Sequence, residues 1–320
     1  MSISVLGAGA FGTALAITLS NARTDVTLWA RDEIAVKTMQ TTRMNAARLP
    51  KARFPKTLTV SSDLETACKA DTILLVIPTQ KLAAFLHSHA TLLDGKTLVA
   101  CCKGVDLATG LGPVQTIAST IPSAQACILT GPSFAVDIAA GLPTALTLAG
   151  PKNCLEPLQE MLSTPALRLY WTTDTVGAEL GGALKNVIAI ASGAAIGAGF
   201  GESARAAVMT RGYAEIQRLA IALGAMPQTL AGLSGFGDLA LTCTSTRSRN
   251  FSFGFALGAE TEFDSGLTVE GAKTAEAVSN LAKKHGIEMP ITNAVAAILA
   301  QRLTVSQAME ALIARPLKEE

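Results

Sequence analysis

The first half of the chain carries short apolar runs that are separated by turn residues and by longer stretches with helical spacing. Short apolar runs bounded by turn signals predict buried strands. The predicted strands cover residues 3–6, 25–31, 57–60, 72–77, 97–101, 126–129 and 145–148. Because helical stretches lie between several of these runs, the pattern indicates a mostly parallel, doubly wound sheet.

The second half has a different pattern, because the strand signals fade from residue 176 onward. Four segments there show the helical spacing of apolar residues: ELGGALKNVIAIASGAAIGAG, AVMTRGYAEIQRLAIALG, TAEAVSNLAKKHG and TNAVAAILAQRL. The sequence therefore predicts an α/β fold in which an N-terminal doubly wound domain, residues 1–170, precedes an all-α domain, residues 171–320.

Three glycines separate the first strand from the first helix. In ISVLGAGAFGTALAITLS, Gly7, Gly9 and Gly12 have the spacing Gly-x-Gly-x-x-Gly. A strand that enters a helix through such glycines leaves N–H groups free to bind a pyrophosphate. We therefore predict a Rossmann-type dinucleotide site, with a purely structural turn as the alternative reading.

The second strand bears on the choice of dinucleotide. A Rossmann unit presents an acidic residue to the ribose about 20 residues beyond the glycines. Here the predicted strand ends at Arg31, and Asp32 follows it. An arginine can pair with a 2′-phosphate, so NADP is expected as cofactor, and Asp32 leaves NAD open. The alternative is an exposed charge pair at a strand end.

Composition limits the possible partners. The 320 residues suffice for two domains, and 49% are hydrophobic while 16% are charged. The net charge of +1 gives no reason to expect nucleic acid or an anionic membrane as partner. The chain begins with the first strand rather than a signal peptide, and its long apolar runs are interrupted, so we expect a cytoplasmic protein without membrane insertion. The six cysteines have no metal-like spacing, and no metal site is predicted.

Two polar groups follow predicted strands, whose carboxyl ends face the ligand crevice of a doubly wound sheet. Lys103 comes two residues after the end of the run at 97–101, and Gly131-Pro132-Ser133 follows the run at 126–129. A lysine and a small rigid turn with a hydroxyl suit close approach to a ligand. The alternatives are an exposed lysine and a turn that ends in a helix N-cap.

Lys185 and Asn186 stand out because the predicted helix around them, ELGGALKNVIAIASG, is otherwise small and apolar. Burial disfavours the charged form of a lysine and lowers its pKa. A lysine tuned in this way can act as general acid and base at a carbinol. A structural lysine would more naturally lie on a polar helical face.

The segment LSGFGDLALTCTSTRSRNFSFG carries a further polar set. Asp238 follows its glycine-rich turn, and Ser248, Arg249 and Asn250 come about three helical turns later. A guanidinium, an amide and a hydroxyl together are donors suited to a phosphate group. A solvated basic loop is the alternative.

These motifs together resemble the bacterial NAD(P)-dependent sn-glycerol-3-phosphate dehydrogenases. The resemblance extends over nearly the whole chain through GAGAFGTALA, LTGPSFA, GALKNVIAIASG, ARAAVMTRGYAE, GLSGFGDLALTCTS and SRN. It implies a Rossmann domain followed by a helical domain, a homodimer, and the reduction of dihydroxyacetone phosphate to glycerol 3-phosphate for phospholipid synthesis.

The resemblance also implies roles for single residues. It assigns proton transfer to Lys185. It implies substrate contacts at Lys103, Gly131, Ser133, Lys185, Asp238, Ser248, Arg249 and Asn250. Together with the glycine motif, it implies cofactor contacts at Gly7, Gly9, Ala10, Phe11, Gly12, Arg31, Lys103, Ala135, Arg249 and Glu270.

The chain departs from the family pattern at two places. Ala10-Phe11 replaces a common Ser-Trp or Ser-Tyr, which removes a hydroxyl from the pyrophosphate turn, and Arg48 replaces a tyrosine in NAARLP. Two other readings stay open. One is a reductase of the hydroxyisobutyrate or ketopantoate type, which acts on a carboxylate; the other is a dinucleotide sensor without catalysis.

Overall fold

A computed structural model describes residues 2–22, 25–264 and 269–316. Its contacts divide the chain into two compact units. The N-terminal unit comprises Met1–Asp106 and Leu111–Glu179, and the C-terminal unit comprises Leu107–Gly110 and Leu180–Glu320. The domain boundary expected at residue 170 stays a prediction, and the change from one unit to the other falls inside a helix, after Glu179.

Within the described residues, eight strands form one sheet in the order β3-β2-β1-β4-β5-β6-β7-β8. The strands are β1 Ile3–Leu6, β2 Val26–Trp29, β3 Thr59–Ser61, β4 Thr72–Leu75, β5 Thr97–Ala100, β6 Gln125–Thr130, β7 Thr144–Ala149 and β8 Leu167–Thr172. All neighbours pair in parallel except β6 and β7, which are antiparallel. The mostly parallel, doubly wound sheet is therefore confirmed.

Two strand predictions differ from the structure. β2 ends at Trp29 and not at Arg31, because Asp32 already caps the next helix. β8 was not predicted at all. It is an edge strand, and its side chains alternate between buried Leu167 and Leu169 and exposed Arg168 and Tyr170.

The sheet is covered on both faces, as a parallel sheet requires. Helices of this unit are α1 Ala10–Ala22, α2 Glu33–Thr42, α3 Leu64–Ala67, α4 Thr79–Ser88, α5 Ala90–Leu93, α6 Pro113–Thr120, α7 Ala135–Ala139 and α8 Lys152–Leu162. Successive strand residues point to opposite faces. Val5 and Leu74 pack on one face with α1 and α8, while Leu6 and Leu75 pack on the other with α4 and α6.

In the described residues of the C-terminal unit, helices joined by short connections are the only regular elements. Its helices are α9 Thr175–Gly197, which begins in the N-terminal unit, α10 Gly201–Ala222, α11 Pro227–Ala231, a π-helix at Leu233–Gly237, α12 Asp238–Thr244, α13 Arg249–Gly258, α14 Glu270–Lys284, α15 Pro290–Leu299 and α16 Val305–Ile313. The helix α9 has the length and hydropathy of a membrane span, but 83% of its most apolar part is buried inside the protein.

The helices α9 and α13 cross with their backbones in contact. A Cβ on Gly193 would lie 2.0 Å from the carbonyl oxygen of Phe251, and a Cβ on Gly254 would lie 2.0 Å from that of Ile190. Only glycine permits so close a crossing. This crossing fixes the relative position of two helices that carry predicted site residues.

Candidate active site

The turn between β1 and α1 has the geometry of a dinucleotide seat. Gly7 has φ 123°, which glycine tolerates, and a Cβ on it would lie 2.3 Å from the carbonyl oxygen of Val76. A Cβ on Gly12 would lie 2.0 Å from the carbonyl oxygen of Gly7, so Gly12 allows the helix to start close to the strand. Around Gly9 there is open space, with no other described atom within 4 Å of a Cβ. Two glycines thus close the turn and the third leaves room for a pyrophosphate, so the residues present fit the cofactor. Ala10 and Phe11 form the start of α1.

Asn45 supports this turn and was not singled out from the sequence. Its buried side chain donates hydrogen bonds to the carbonyl oxygen of Ala8 and to Oγ1 of Thr13, both at 2.9 Å. The amide therefore joins the turn to the first helix. The signal that could have revealed it is the segment NAARLP, which begins with this asparagine.

The charged residues after β2 have separate roles. Asp32 is the N-cap of α2, and its Oδ1 accepts hydrogen bonds from the backbone N–H groups of Ile34 and Ala35 at 2.9 and 3.0 Å. Arg31 is exposed. One carboxylate oxygen of Asp32 is thus engaged by the helix, while the exposed guanidinium of Arg31 lies next to it in the chain.

Lys103, Gly131 and Ser133 meet at one carbonyl group of the N-terminal unit. Nζ of Lys103 and Oγ of Ser133 both donate to the carbonyl oxygen of Gly131 at 3.3 Å. Gly131 has φ 141°. Thr130, immediately before it, has a buried hydroxyl with no hydrogen-bond partner among the residues that the structure describes. The segments after β5 and β6 thus bring an ammonium group and a hydroxyl group to one carbonyl oxygen.

Ser133 is not the N-cap of the following helix. The N-cap of α7 is Phe134, whose side chain makes no capping hydrogen bond, and Ala135 is the first helical residue. Ser133 therefore does not cap α7, although the turn does lead into that helix.

Lys185 is buried on α9 and held by two residues of α12. Its Nζ donates to Oδ1 of Asp238 in a buried ion pair and to Oγ1 of Thr242 at 2.6 Å. The side chains of Lys185 and Asp238 are only 7% and 1% exposed. The apolar helix around Lys185 predicts that burial is the main influence on its side chain. The structure adds a carboxylate in contact, which stabilises the ammonium form against desolvation. Thr242 was not predicted, although it lies one helical turn after Asp238.

The glycine-rich segment before Asp238 is not a simple turn. Leu233–Gly237 forms a π-helix that leads directly into α12, so Asp238 becomes the first residue of that helix. Short π-helical turns inside helical segments are frequent at functional sites. Burial raises the pKa of the nearby Cys243 thiol to about 12, so that thiol is protonated at neutral pH and is no candidate nucleophile.

Ser248, Arg249 and Asn250 do not continue the helix of Asp238. That helix ends at Thr244, and Ser248 is the N-cap of α13, with its Oγ accepting the N–H of Phe251 at 3.2 Å. Arg249 is the exposed first residue of α13. The N-terminus of a helix and a guanidinium therefore coincide, which favours an anion.

Asn250 connects three helices of the C-terminal unit. Its Nδ2 donates to Oδ1 of Asn186 at 3.1 Å, and its Oδ1 accepts the N–H of Gly271 at 2.9 Å. Glu270, at the start of α14, is next to this contact in the chain. The structure therefore brings Asn186, Asn250 and the start of α14 together within this unit, and it gathers Lys103, Gly131 and Ser133 separately within the N-terminal unit.

In residues 2–22, 25–264 and 269–316, no three His, Cys, Asp or Glu side chains are grouped so that they could hold a metal ion.

Two family models match the chain. The model of the NAD-dependent glycerol-3-phosphate dehydrogenase N-terminus matches residues 2–155, and the model of the C-terminus of the same enzyme matches residues 174–310. A relative from Ruegeria sp. (strain TM1040), named glycerol-3-phosphate dehydrogenase [NAD(P)+], is 59% identical over 321 aligned residues and is covered in full, as is this chain.

Solved structures agree with this match. The glycerol-3-phosphate dehydrogenase of Coxiella burnetii is 37% identical, with a TM-score of 0.92 over 98% of this chain and 99% of that one. A ketopantoate reductase of Ralstonia eutropha shares the fold alone, at 15% identity and a TM-score of 0.62 over 97% of this chain and 100% of that one. From the two family models and the full-length relative we conclude that the chain belongs to the family of NAD-dependent glycerol-3-phosphate dehydrogenases.

Proposed function

We propose that this enzyme catalyses the reversible, NAD(P)H-dependent reduction of dihydroxyacetone phosphate to sn-glycerol 3-phosphate. The observation that carries the proposal is the buried Lys185, whose Nζ is held by Asp238 and Thr242. Burying an ammonium group in a helix of small residues lowers the stability of the fold unless a partner compensates the charge. Such a group is retained where the reaction requires it. Its position on α9, within a chain that matches its relatives over the full length, supports a role in proton transfer.

The proposed chemical step combines hydride and proton transfer. The reduced nicotinamide, when bound, supplies a hydride to the C2 carbonyl carbon of the substrate. Negative charge then develops on the carbonyl oxygen, and the Lys185 ammonium donates a proton to it. Asp238 and Thr242 hold the ammonium by accepting its other N–H groups, which fixes the direction of the donated proton. In the reverse reaction the neutral amine accepts the proton of the hydroxyl group.

We assign recognition of the phosphate to the start of α13. Ser248, Arg249 and Asn250 supply a hydroxyl, a guanidinium and an amide beside the positive end of a helix dipole. Arg249 is exposed, so its planar group is accessible to a doubly charged phosphate. Lys103, Gly131 and Ser133 are further proposed substrate contacts.

The cofactor is NADP or NAD, and we propose contacts to it residue by residue. The proposed seat for the pyrophosphate is the turn with Gly7, Gly9 and Gly12, which continues into Ala10 and Phe11. The remaining proposed cofactor contacts are Arg31 for the 2′-phosphate, and Lys103, Ala135, Arg249 and Glu270. The accessible Arg31 beside the capping Asp32 supports the use of NADPH, with NADH also accepted.

We further infer a cytoplasmic homodimer that supplies glycerol 3-phosphate for phospholipid synthesis and neither inserts into a membrane nor binds nucleic acid. The inference rests on the resemblance, on the net charge of +1, and on the burial of the apolar helix α9. Sedimentation equilibrium is expected to give twice the chain mass of 33.0 kDa.

A ketopantoate or hydroxyisobutyrate reductase is the alternative function, because those enzymes also join a dinucleotide domain to a helical domain. The observation that favours the phosphate substrate is the arginine and asparagine pair that opens α13. A sensor without catalysis has no need of the buried Lys185–Asp238 pair.

The test is an NAD(P)H oxidation assay with dihydroxyacetone phosphate, unphosphorylated dihydroxyacetone and ketopantoate. A site built around a charged group discriminates strongly against a substrate that lacks it, so kcat/KM for the phosphate ester is expected to be about 10⁴-fold higher. Equal rates with dihydroxyacetone would contradict the phosphate site. Oxidation of NAD(P)H with ketopantoate, and with neither of the other two substrates, would establish the alternative function.

A further inference from the structure

Two cysteine thiols meet in the N-terminal unit and have no part in the proposed reaction. Cys127 lies on β6 and Cys154 lies in the first turn of α8, and their Sγ atoms are 3.6 Å apart. Gly150 makes room for this contact, because a Cβ on it would lie 2.5 Å from Sγ of Cys127. The fold thus holds two thiols side by side from two different elements.

The two thiols differ in their access to solvent. Cys127 is fully buried, while Cys154 is partly exposed and donates a weak hydrogen bond to the carbonyl oxygen of Pro151 at 3.1 Å. Burial raises the pKa of the Cys127 thiol, and the neighbouring Cys154 raises it further. A small oxidant dissolved in water therefore reaches Cys154 first, while Cys127 stays protonated behind it.

We propose that Cys127 and Cys154 form an oxidative modification site, at which a hydroperoxide converts the two thiols into an intramolecular disulfide. In the first step, the Cys154 sulfur attacks one peroxide oxygen, the O–O bond breaks, and the leaving oxygen takes up the thiol proton. Cys154 is then a sulfenic acid. In the second step, the Cys127 sulfur attacks the Cys154 sulfur, the S–O bond breaks, and the departing hydroxide takes the Cys127 proton as water. Two thiols are oxidised and one peroxide is reduced.

The reaction needs only a small movement of the two side chains. The sulfur atoms of a disulfide are about 2.05 Å apart, so the sulfurs must approach each other by about 1.5 Å from their present 3.6 Å. Leu155 and Leu158 anchor α8 in the core, so the change is expected in the side chain of Cys154 rather than in the helix. The bond would link α8 to β6, the strand that leads into Gly131.

The test treats the native protein with hydrogen peroxide, alkylates the remaining thiols in denaturant, and maps the peptides by mass spectrometry. The expected product joins the Cys127 and Cys154 peptides, is lighter by two hydrogen atoms, and separates after reduction with dithiothreitol. Recovery of both residues as alkylated thiols, or of Cys154 as sulfonic acid beside an alkylated Cys127, would overturn the proposal.

Variants separate the two roles. Cys154→Ser is expected to abolish the joined peptides and to leave Cys127 reduced. Cys127→Ala should let the sulfenic acid of Cys154 persist, so that trapping by dimedone rises several-fold above that of the unaltered protein. The control Cys68→Ala, which alters a buried cysteine on the other face of the sheet, should leave the disulfide intact. Equal dimedone trapping with and without Cys127, or oxidation of Cys127 to the same extent in Cys154→Ser, would contradict the assigned roles.

Discussion

At the scale of single residues, the proposed chemistry depends on one buried pair of opposite charges. Lys185 and Asp238 are each nearly inaccessible, and Thr242 accepts a further hydrogen bond from the ammonium group. Removing one member of a buried pair leaves the other charge uncompensated, which destabilises the fold. A loss of activity in a single variant could therefore arise from misfolding as well as from lost proton transfer.

The first prediction separates these two effects. Lys185→Met is expected to lower kcat by about 10²–10⁴-fold through loss of the general acid, and to lower the free energy of unfolding by about 3 kcal/mol. Lys185→Met combined with Asp238→Asn removes both charges, so stability should recover while kcat stays low. Urea unfolding and steady-state kinetics measure both quantities. Recovery of kcat in the double variant would show that Lys185 is structural.

A second buried carboxylate predicts a dependence of stability on pH. Glu179 accepts the backbone N–H of Val114 at 2.5 Å, at the start of α6. Burial raises the pKa of Glu179 from 4.5 to about 7, although the hydrogen bond from Val114 lowers it. The folded protein therefore keeps a proton that the unfolded chain releases above pH 4.5.

Because the folded protein binds this proton more tightly than the unfolded chain, the free energy of unfolding falls as the pH rises. The contribution of Glu179 to stability is full below pH 4.5 and is lost as the pH rises through about 7. At about 1.4 kcal/mol per pH unit, the loss amounts to about 3 kcal/mol. Glu179→Gln should flatten this part of the curve of unfolding free energy against pH. Burial also raises the pKa of Glu215. Both proteins contain this residue, so its contribution to the pH dependence of stability is the same in each. An unaltered slope in Glu179→Gln would contradict the prediction.

At the scale of elements, the crossing of α9 and α13 supports the candidate site of the C-terminal unit. Gly193 and Gly197 on α9 face the backbone of α13, and Gly254 and Gly258 on α13 face the backbone of α9. Asn186, near the middle of α9, meets Asn250 at the start of α13 through a hydrogen bond. The small residues of this crossing therefore serve the same pair of helices that carry the polar residues.

The third prediction concerns this crossing. Gly254→Ala places a Cβ 2.0 Å from the carbonyl oxygen of Ile190. Because both contacting groups are backbone, the helices must move apart to remove the clash. Overpacking of this kind typically costs about 1–3 kcal/mol, measured as a lower free energy of unfolding. The control is Gly232→Ala, where the nearest atom is 3.3 Å away and φ is −83°, so that its cost should be smaller. An equal loss in both variants would show that the crossing is not tight.

The position of an element in the fold decides whether the sequence predicts it. The apolar runs of β4 and β5 were predicted within about two residues, because both strands are buried on both faces and read as continuous apolar segments. The edge strand β8 was missed, since only its alternation of buried and exposed residues marks it. The glycines before Asp238 predicted a turn, because glycine is unfavourable inside a helix and frequent in turns. The sequence pattern does not distinguish a turn from a short π-helix. Thr242 and Asn45 owe their roles to contacts between distant segments, which periodicity does not report.

At the scale of the whole molecule, the proposed cofactor and substrate groups are divided between two compact units. The glycine turn, Arg31 and Lys103 belong to the N-terminal unit, while Lys185, Asp238 and Arg249 belong to the C-terminal unit. The sequence already placed Lys185, the proposed proton donor, beyond the doubly wound sheet. The sequence did not predict that the short segment Leu107–Gly110, which lies within the first half of the chain, clusters with the C-terminal unit.

The fourth prediction follows from this division and uses hydrogen exchange measured by mass spectrometry. NADPH alone should slow amide exchange in residues 7–13, where the N–H groups at the start of α1 would contact the pyrophosphate. Added glycerol 3-phosphate should slow exchange at residues 248–253, where the first amides of α13 would contact the phosphate. In the Arg249→Ala variant the second protection should weaken strongly, because a charge-assisted contact is lost, while the protection of residues 7–13 stays detectable. Protection by glycerol 3-phosphate that is confined to the N-terminal unit would contradict the assignment of the phosphate site to α13.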